Sequence, residues 1–292
     1  MTQWPPEEPP GEPPNDPPAQ PPNDAPAQPP GETPAPPPAS WTPAAAPSAP
    51  PPSPQSPPLP SVAPYSAPPQ PSAADRVRMA WQRRHETDYI FDFWTALGWT
   101  ILSCGFYGFY VLYQLVRRDR DHNQRRVELL DAATTYAWEQ ASASGVAEEM
   151  QPAFERISMH MAVLRQQTTQ FRDPIIWVVL DVIAGGIARI VAYCLMDSDL
   201  VKHDHAEGAI EAELSEIYSR LGEPTAPPDP GRLKGQHNYV ARVIVLIVTC
   251  GIYGLWWTYD VMTDWNKHFE HNWRWEDGLA ASVQSLMPTP GT

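Results

Sequence analysis

Three apolar runs, residues 93–116, 175–196 and 239–262, are each roughly two dozen positions long and leave this chain few ways to fold. At about 1.5 Å rise per residue, a helix of that length crosses the ~30 Å hydrocarbon core of a bilayer with some tilt. The expectation is an all-α membrane protein with three transmembrane helices in a bundle and amphipathic helices between them. The outer runs share a string, Cys104-Gly105-Phe106-Tyr107-Gly108 and Cys250-Gly251-Ile252-Tyr253-Gly254, and a weaker copy centres on Ala184-Gly185. The bundle is therefore repeat-built. A competing arrangement keeps all polar parts cytoplasmic and bends each run into a re-entrant hairpin at its glycines. Re-entrant backbone must be shielded by protein, so the spanning arrangement is the one expected.

The N-terminal quarter of the 292-residue chain belongs to another class. Thirty of 38 prolines lie within residues 1–71, and the stretch 1–74 carries six acids and no Lys or Arg. Such a segment cannot bury enough apolar surface to offset its ordering entropy, so a disordered tail with polyproline-II character is expected. The mean hydropathy of −0.41 thus averages a hydrated tail with apolar runs. The tail's P-x-x-P matches, with Trp4, Trp41 and Tyr65, suit docking to aromatic-lined grooves of protein partners. Its acidity, and the net charge of −14, argue against a nucleic-acid footprint. No basic start or short apolar segment at Met1 suggests a cleaved signal. The chain divides into tail 1–74, first repeat 75–173, degenerate middle repeat 174–230 and third repeat 231–292.

Aligned on Gly105, Gly185 and Gly251, the copies place small residues at the glycine and three positions on, at Gly108, Ala188 and Gly254. Those positions share a helix face and let backbones approach closely, as membrane helices need in order to associate within one chain or as a homo-oligomer. Eight positions beyond each glycine stands a tyrosine, Tyr113, Tyr193 or Tyr259, suited to the interfacial belt of a lipid bilayer. Between the first two runs, apolar periodicity at 127–130 and 154–164, with Gly145 and Pro152 between, predicts two amphipathic helices and a turn. The stretch 199–221 predicts an acidic helix and 264–286 a polar one.

The string Thr249-Cys-Gly-Ile-Tyr-Gly-Leu-Trp-Trp-Thr-Tyr259, continuing through Asp264-Trp-Asn-Lys-His-Phe269, resembles an uncharacterised bacterial family of small membrane proteins. Members carry a domain of unknown function with a T-x-G-I-Y-G signature followed by aromatics. The resemblance implies residence in a bacterial inner membrane as a multi-pass protein, and no reaction or ligand travels with it. Lys and Arg number three before the first run (Arg78, Arg83, Arg84) and five after it (Arg117, Arg118, Arg120, Arg125, Arg126), which favours residues 117–173 in the cytoplasm.

Asp181 and Arg189 fall inside the middle run. An intramembrane charge costs roughly 2.5–3.5 kcal/mol. Eight positions apart on one helix they could not pair directly, so they are candidates for a polar cavity or for contacts with neighbouring helices. His203, His205, His268 and His271 hold no complete metal-ligand spacing and are expected at the interface or in solvent, with no metal or cofactor. His122 and His268 both fall seventeen positions past their glycines. The three cysteines form no Cys-x-x-Cys pair, and no catalytic signature is present. These features point to a non-enzymatic membrane scaffold that recruits partners through its tail, or to a solute or ion transporter using Asp181 and Arg189.

Overall fold

The computed structural model describes residues 70–168, 173–229 and 235–286; the expected tail lies outside them up to residue 69. Among the described residues all regular structure is helical: α1 Ala73–Gln82, α2 Arg84–Thr87, α3 Phe93–Leu102, α4 Phe106–Ala143, α5 Ala147–Thr168, α6 Pro174–Ala184, α7 Ile187–Arg220, α8 Tyr239–Val248 and α9 Tyr253–Leu286. Helix α1 begins inside the last two positions assigned to the tail, where Ala73 and Ala74 are already buried. The turn expected around Gly145 and Pro152 falls at Gly145 (φ 72°) alone, and Pro152 lies within α5.

None of the three apolar runs is one helix. Each breaks near its middle into a short helix and the start of a long one: α3 and α4, α6 and α7, α8 and α9. No described helix is long and apolar enough to cross a membrane. The break has a local cause. Cys104, Gly185 and Cys250 take φ of 52°, 60° and 50°, and the next residues Gly105, Gly186 and Gly251 take 95°, 91° and 91°. Two successive positive φ values stop a right-handed helix. The glycine N–H then reaches back to Thr100 O (2.8 Å), Asp181 O (3.3 Å) and Leu246 O (2.9 Å), closing the preceding helix as a Schellman cap does.

The chain then turns back on itself. Arg242, nine positions before Gly251, meets Asp260, nine after it, at 2.8 Å. A Cβ on Gly254 would stand 3.3 Å from Leu246, and one on Gly108 3.6 Å from Thr100. Each apolar run is thus a helical hairpin.

The turns also correct the register of the middle copy, which aligns on Gly186 rather than Gly185. Side-chain N-caps confirm the shift. Asp92, Asp173 and Asn238 each lie thirteen positions before the turn glycine and accept from backbone N–H groups of the first helical turn. In this register the position three past the glycine is Gly108, Arg189 or Gly254, and the position eight past it is Tyr113, Cys194 or Tyr259.

The two turn positions differ in tolerance. A φ near 50–60° is the left-handed region that cysteine occupies twice, whereas φ above 90° suits glycine alone. Nothing lies within 4 Å of a Cβ built on Gly105, Gly186 or Gly251, so only backbone strain penalises substitution. Alanine at any of the three is expected to cost about 1–2 kcal/mol, and Gly185→Asn clearly less, in denaturant unfolding.

The three long helices run parallel. Tyr193 and Thr258, both seven positions past their glycines, share a hydrogen bond at 3.1 Å. Arg126 and Glu207, both twenty-one past, form an ion pair, and Tyr218 Oη donates to Ala133 O at 3.1 Å farther on. All three hairpins therefore emerge at the same end. Helix α5 returns alongside α4 and α7, and α1 covers α4 and α9. Two apolar cores result. One near the hairpins includes Leu112, Leu115, Trp257, Trp265 and Phe269; the other, at the far end, includes Leu129, Ile157, Ile210, Leu214 and Leu279.

Candidate functional site

Between the two cores lies a layer of buried polar side chains from α4, α7 and α9. His122, Arg125 and Arg126 of α4 meet His203, Asp204, Glu207 and Glu211 of α7 and His268, Asn272 and Glu276 of α9, all at most 5 % exposed. Asp88, which closes α2, completes the layer from the side. Burying charge on this scale is stable only where each group finds partners. Arg126 donates to Glu207, Glu211 and, at 2.9 Å, Glu276. Arg125 spans Glu276 (2.8 Å) and Asp88 (2.7 Å), and Trp273 Nε1 donates to the same Asp88 carboxylate at 2.8 Å.

Histidine rings fill the centre. His122 Nδ1 lies 2.9 Å from Asp88 Oδ1, and His268 Nδ1 lies 3.0 Å from Asp204 Oδ1. Their Nε2 atoms face each other at 3.2 Å. Glu207 Oε2 is 3.4 Å from His268 Nε2, and Glu207 Oε1 is 2.9 Å from His203 Nε2. Burial pushes the His122 imidazolium down to about 3 despite the pull of Asp88, and also pushes His268 down against Asp204 and Glu207. Burial alone would raise the Asp88 carboxyl, but His122 and Arg125 hold it below the usual carboxylate range. Arg126 and His203 likewise hold Glu207 well down against its burial. Burial raises Glu276. The ligand atoms of His122, His203, Glu207 and His268 lie within 4.8 Å of one another, the spacing of a metal-ion pocket.

The sequence expectation places four histidines at the interface or in solvent, and two of them, His203 and His268, are instead in this buried layer; His205 is exposed and His271 half-buried. The signal lay in the register. Aligned on Gly186, His203 falls seventeen positions past its glycine, as His122 and His268 do. Aligned on Gly185 it falls one position farther, and the coincidence is hidden.

The second feature is the hairpin end. Among the described residues, 23 of the 29 exposed large apolar side chains belong to the three runs. Leu102, Ile183 and Val248, each three positions before a turn glycine, are 76 %, 76 % and 75 % exposed. Gly105, Gly185 and Gly251 form the turns. Gly108 leaves room for Arg189, whose Nη1 would be 3.4 Å from a Cβ there.

Asp181 and Arg189 lie on opposite arms of a hairpin, so the expectation that they could not pair fails. Arg189 Nε donates to Asp181 Oδ2 at 3.1 Å, and its guanidinium lies 5.8 Å from the Phe109 ring centre. Ala188 and Tyr193 are buried, Tyr113 is partly buried, and Tyr259 stacks edge-on against Phe93 at 5.2 Å. Comparison with known proteins returns no matching family model, no matching characterised protein and no matching solved structure. What fold and site define is a class: a parallel three-helix bundle built from hairpin repeats, with an apolar end and a buried histidine–carboxylate layer.

Proposed function

We propose that the chain is a membrane-attached protein whose three hairpins enter one leaflet of a bilayer without crossing it. The single apolar end carries this reading. Short helices of 10 to 11 residues reach about 15 Å, half of the ~30 Å hydrocarbon core. The run 93–116 holds no charged side chain, and the two charges in each of the other runs pair internally, Asp181 with Arg189 and Arg242 with Asp260. The hairpins thus offer lipid almost no unpaired charge. Trp94, eleven positions before its turn, is exposed at the base of its hairpin and suits the headgroup boundary. With a net charge of −14, attraction to anionic lipid is not the driving force; apolar burial is.

Flotation of the full-length chain with phosphatidylcholine vesicles tests this. The protein is expected to rise with the vesicles equally at low salt and at about 1 M, where surface electrostatics are screened within ~3 Å. A chain left behind, or one that pairs end to end with a second copy and ignores vesicles, overturns the reading. Cys104 and Cys250 are exposed at two of the turns. An environment-sensitive probe on Cys104, with the other two cysteines replaced by serine, is expected near the bilayer midplane in depth-dependent quenching. A position at the far interface would instead favour spanning helices. Attached in this way, the protein would act as a scaffold, displaying its Pro-rich residues 1–69 to partners with aromatic-lined grooves. Loss of co-purifying partners on deleting that segment is the corresponding test.

A further inference from the structure

The three histidines at the centre of the polar layer come one from each repeat, at the same distance from its turn. We infer that His122, His203, His268 and Glu207 bind a single divalent first-row transition-metal ion of the zinc type, which ties the three repeats together at one point. The inference does not depend on membrane attachment.

The ring tautomers carry the chemistry. A carboxylate oxygen accepts from Nδ1 of both His122 and His268, so the ring proton sits on Nδ1 and the lone pair on Nε2. Two such lone pairs then face each other at 3.2 Å, with the Glu207 carboxylate 3.4 Å from one of them. That convergence calls for positive charge at the centre, supplied by a metal ion or by an added ring proton; Asn272 Nδ2, 3.1 Å from His268 Nε2, reaches only one of the two rings. Moving one ring's own proton to its Nε2 would leave that ring's Nδ1 bare against a carboxylate, which moves the repulsion without removing it. His203 Nε2 lies 2.9 Å from Glu207 Oε1, while its Nδ1 is buried without a hydrogen-bond partner.

The spacing fits an ion. A tetrahedral centre with bonds of about 2.0–2.1 Å separates its ligand atoms by roughly 3.3–3.4 Å; here the His122 and His268 Nε2 atoms are 3.2 Å apart, and the four ligand atoms all lie within 4.8 Å of one another. Asp88 and Asp204 on the far ring nitrogens are the outer carboxylates that metal-bound histidines commonly carry. Charge agrees as well. The five carboxylates of the layer, Asp88, Asp204, Glu207, Glu211 and Glu276, stand against the two guanidinium groups of Arg125 and Arg126. A divalent cation offsets much of that formal excess of negative charge. Asn272 Nδ2 donates to Glu207 Oε2 (3.0 Å) and His268 Nε2 (3.1 Å), and a half-turn of its amide would present oxygen to the same point. Three imidazoles and one carboxylate make a closed four-ligand set, which suits a structural ion rather than a catalytic one.

The test uses the full-length chain, stripped with a chelator and titrated with Zn²⁺ and, as a spectroscopic probe, Co²⁺. The expected result is one equivalent of either ion, intense visible bands of four-coordinate Co²⁺, and a rise in unfolding temperature on binding. His203→Ala and Glu207→Gln should weaken binding at least about 100-fold and Asp204→Asn about 10- to 100-fold; His205→Ala, at an exposed neighbour, should leave it unchanged. A wild-type chain that takes up no ion overturns the inference, and needs no variant to do so. So does a folded His203→Ala chain that binds as tightly as wild type.

Discussion

Aspartate at Leu102, Ile183 or Val248 is expected to weaken vesicle binding about a thousandfold while leaving the unfolding midpoint unchanged. These side chains lie at the tips of the three hairpins and are about three-quarters exposed. Burying an aliphatic side chain is worth roughly 1.5–3 kcal/mol, and a carboxylate deep in a membrane costs about 2.5–3.5 kcal/mol. A single change therefore forfeits about 4 kcal/mol or more of binding, and each 1.4 kcal/mol is tenfold. An exposed residue contributes almost nothing to folding, so stability should move by less than about 0.5 kcal/mol. Flotation together with thermal unfolding separates the two quantities. If the variants bind like wild type, the apolar end is not what holds the protein to lipid. If they unfold early, the tips pack against protein and the exposed end has been misread.

Arg126→Met should cost about 3–5 kcal/mol of stability. The Arg126 guanidinium is fully buried and answers Glu207, Glu211 and Glu276 at once. Methionine fills much of the volume, but three carboxylates lose their shared cation in a site that water does not reach. Removing one partner of a buried pair typically costs about 3–5 kcal/mol, far more than the pair itself contributes. For a fold of this size that lowers the melting temperature by roughly 6–20 °C. Adding Glu211→Leu should recover part of the loss, since one stranded charge goes with it. The comparison is Arg83→Ala at the exposed pair with Glu128, where a change within about 0.5 kcal/mol is expected. Similar melting temperatures for the two single variants would mean that the buried layer is not the constraint described.

The repeat, the helical class and the apolar segments were legible in the residues, because glycine spacing and hydropathy are local properties. The hairpins were legible only as the disfavoured alternative to spanning helices. An apolar run of this length reads the same whether it is one helix or two, and what divides it is a pair of positive φ values that composition does not display. Cysteine at the first of these positions disguised the turn as a packing notch. The pairing of Asp181 with Arg189 was hidden for the same reason: eight positions apart is remote on one helix and adjacent across a hairpin.

The candidate metal site shows how one position can decide what is visible. Counting from Gly185 scatters the histidines, while counting from Gly186 stacks them. Only the turn geometry distinguishes the two glycines, at φ 60° and 91°. The sequence by itself determined that three copies of an apolar unit would fold as helices, since that follows from periodicity and from residues within one or two turns of each other. Only the tertiary structure decided that the copies run parallel, expose their apolar ends together and bring ligand atoms of His122, His203 and His268 within 4.8 Å of one another. That outcome depends on contacts between side chains 65 to 146 positions apart, and no local preference encodes them.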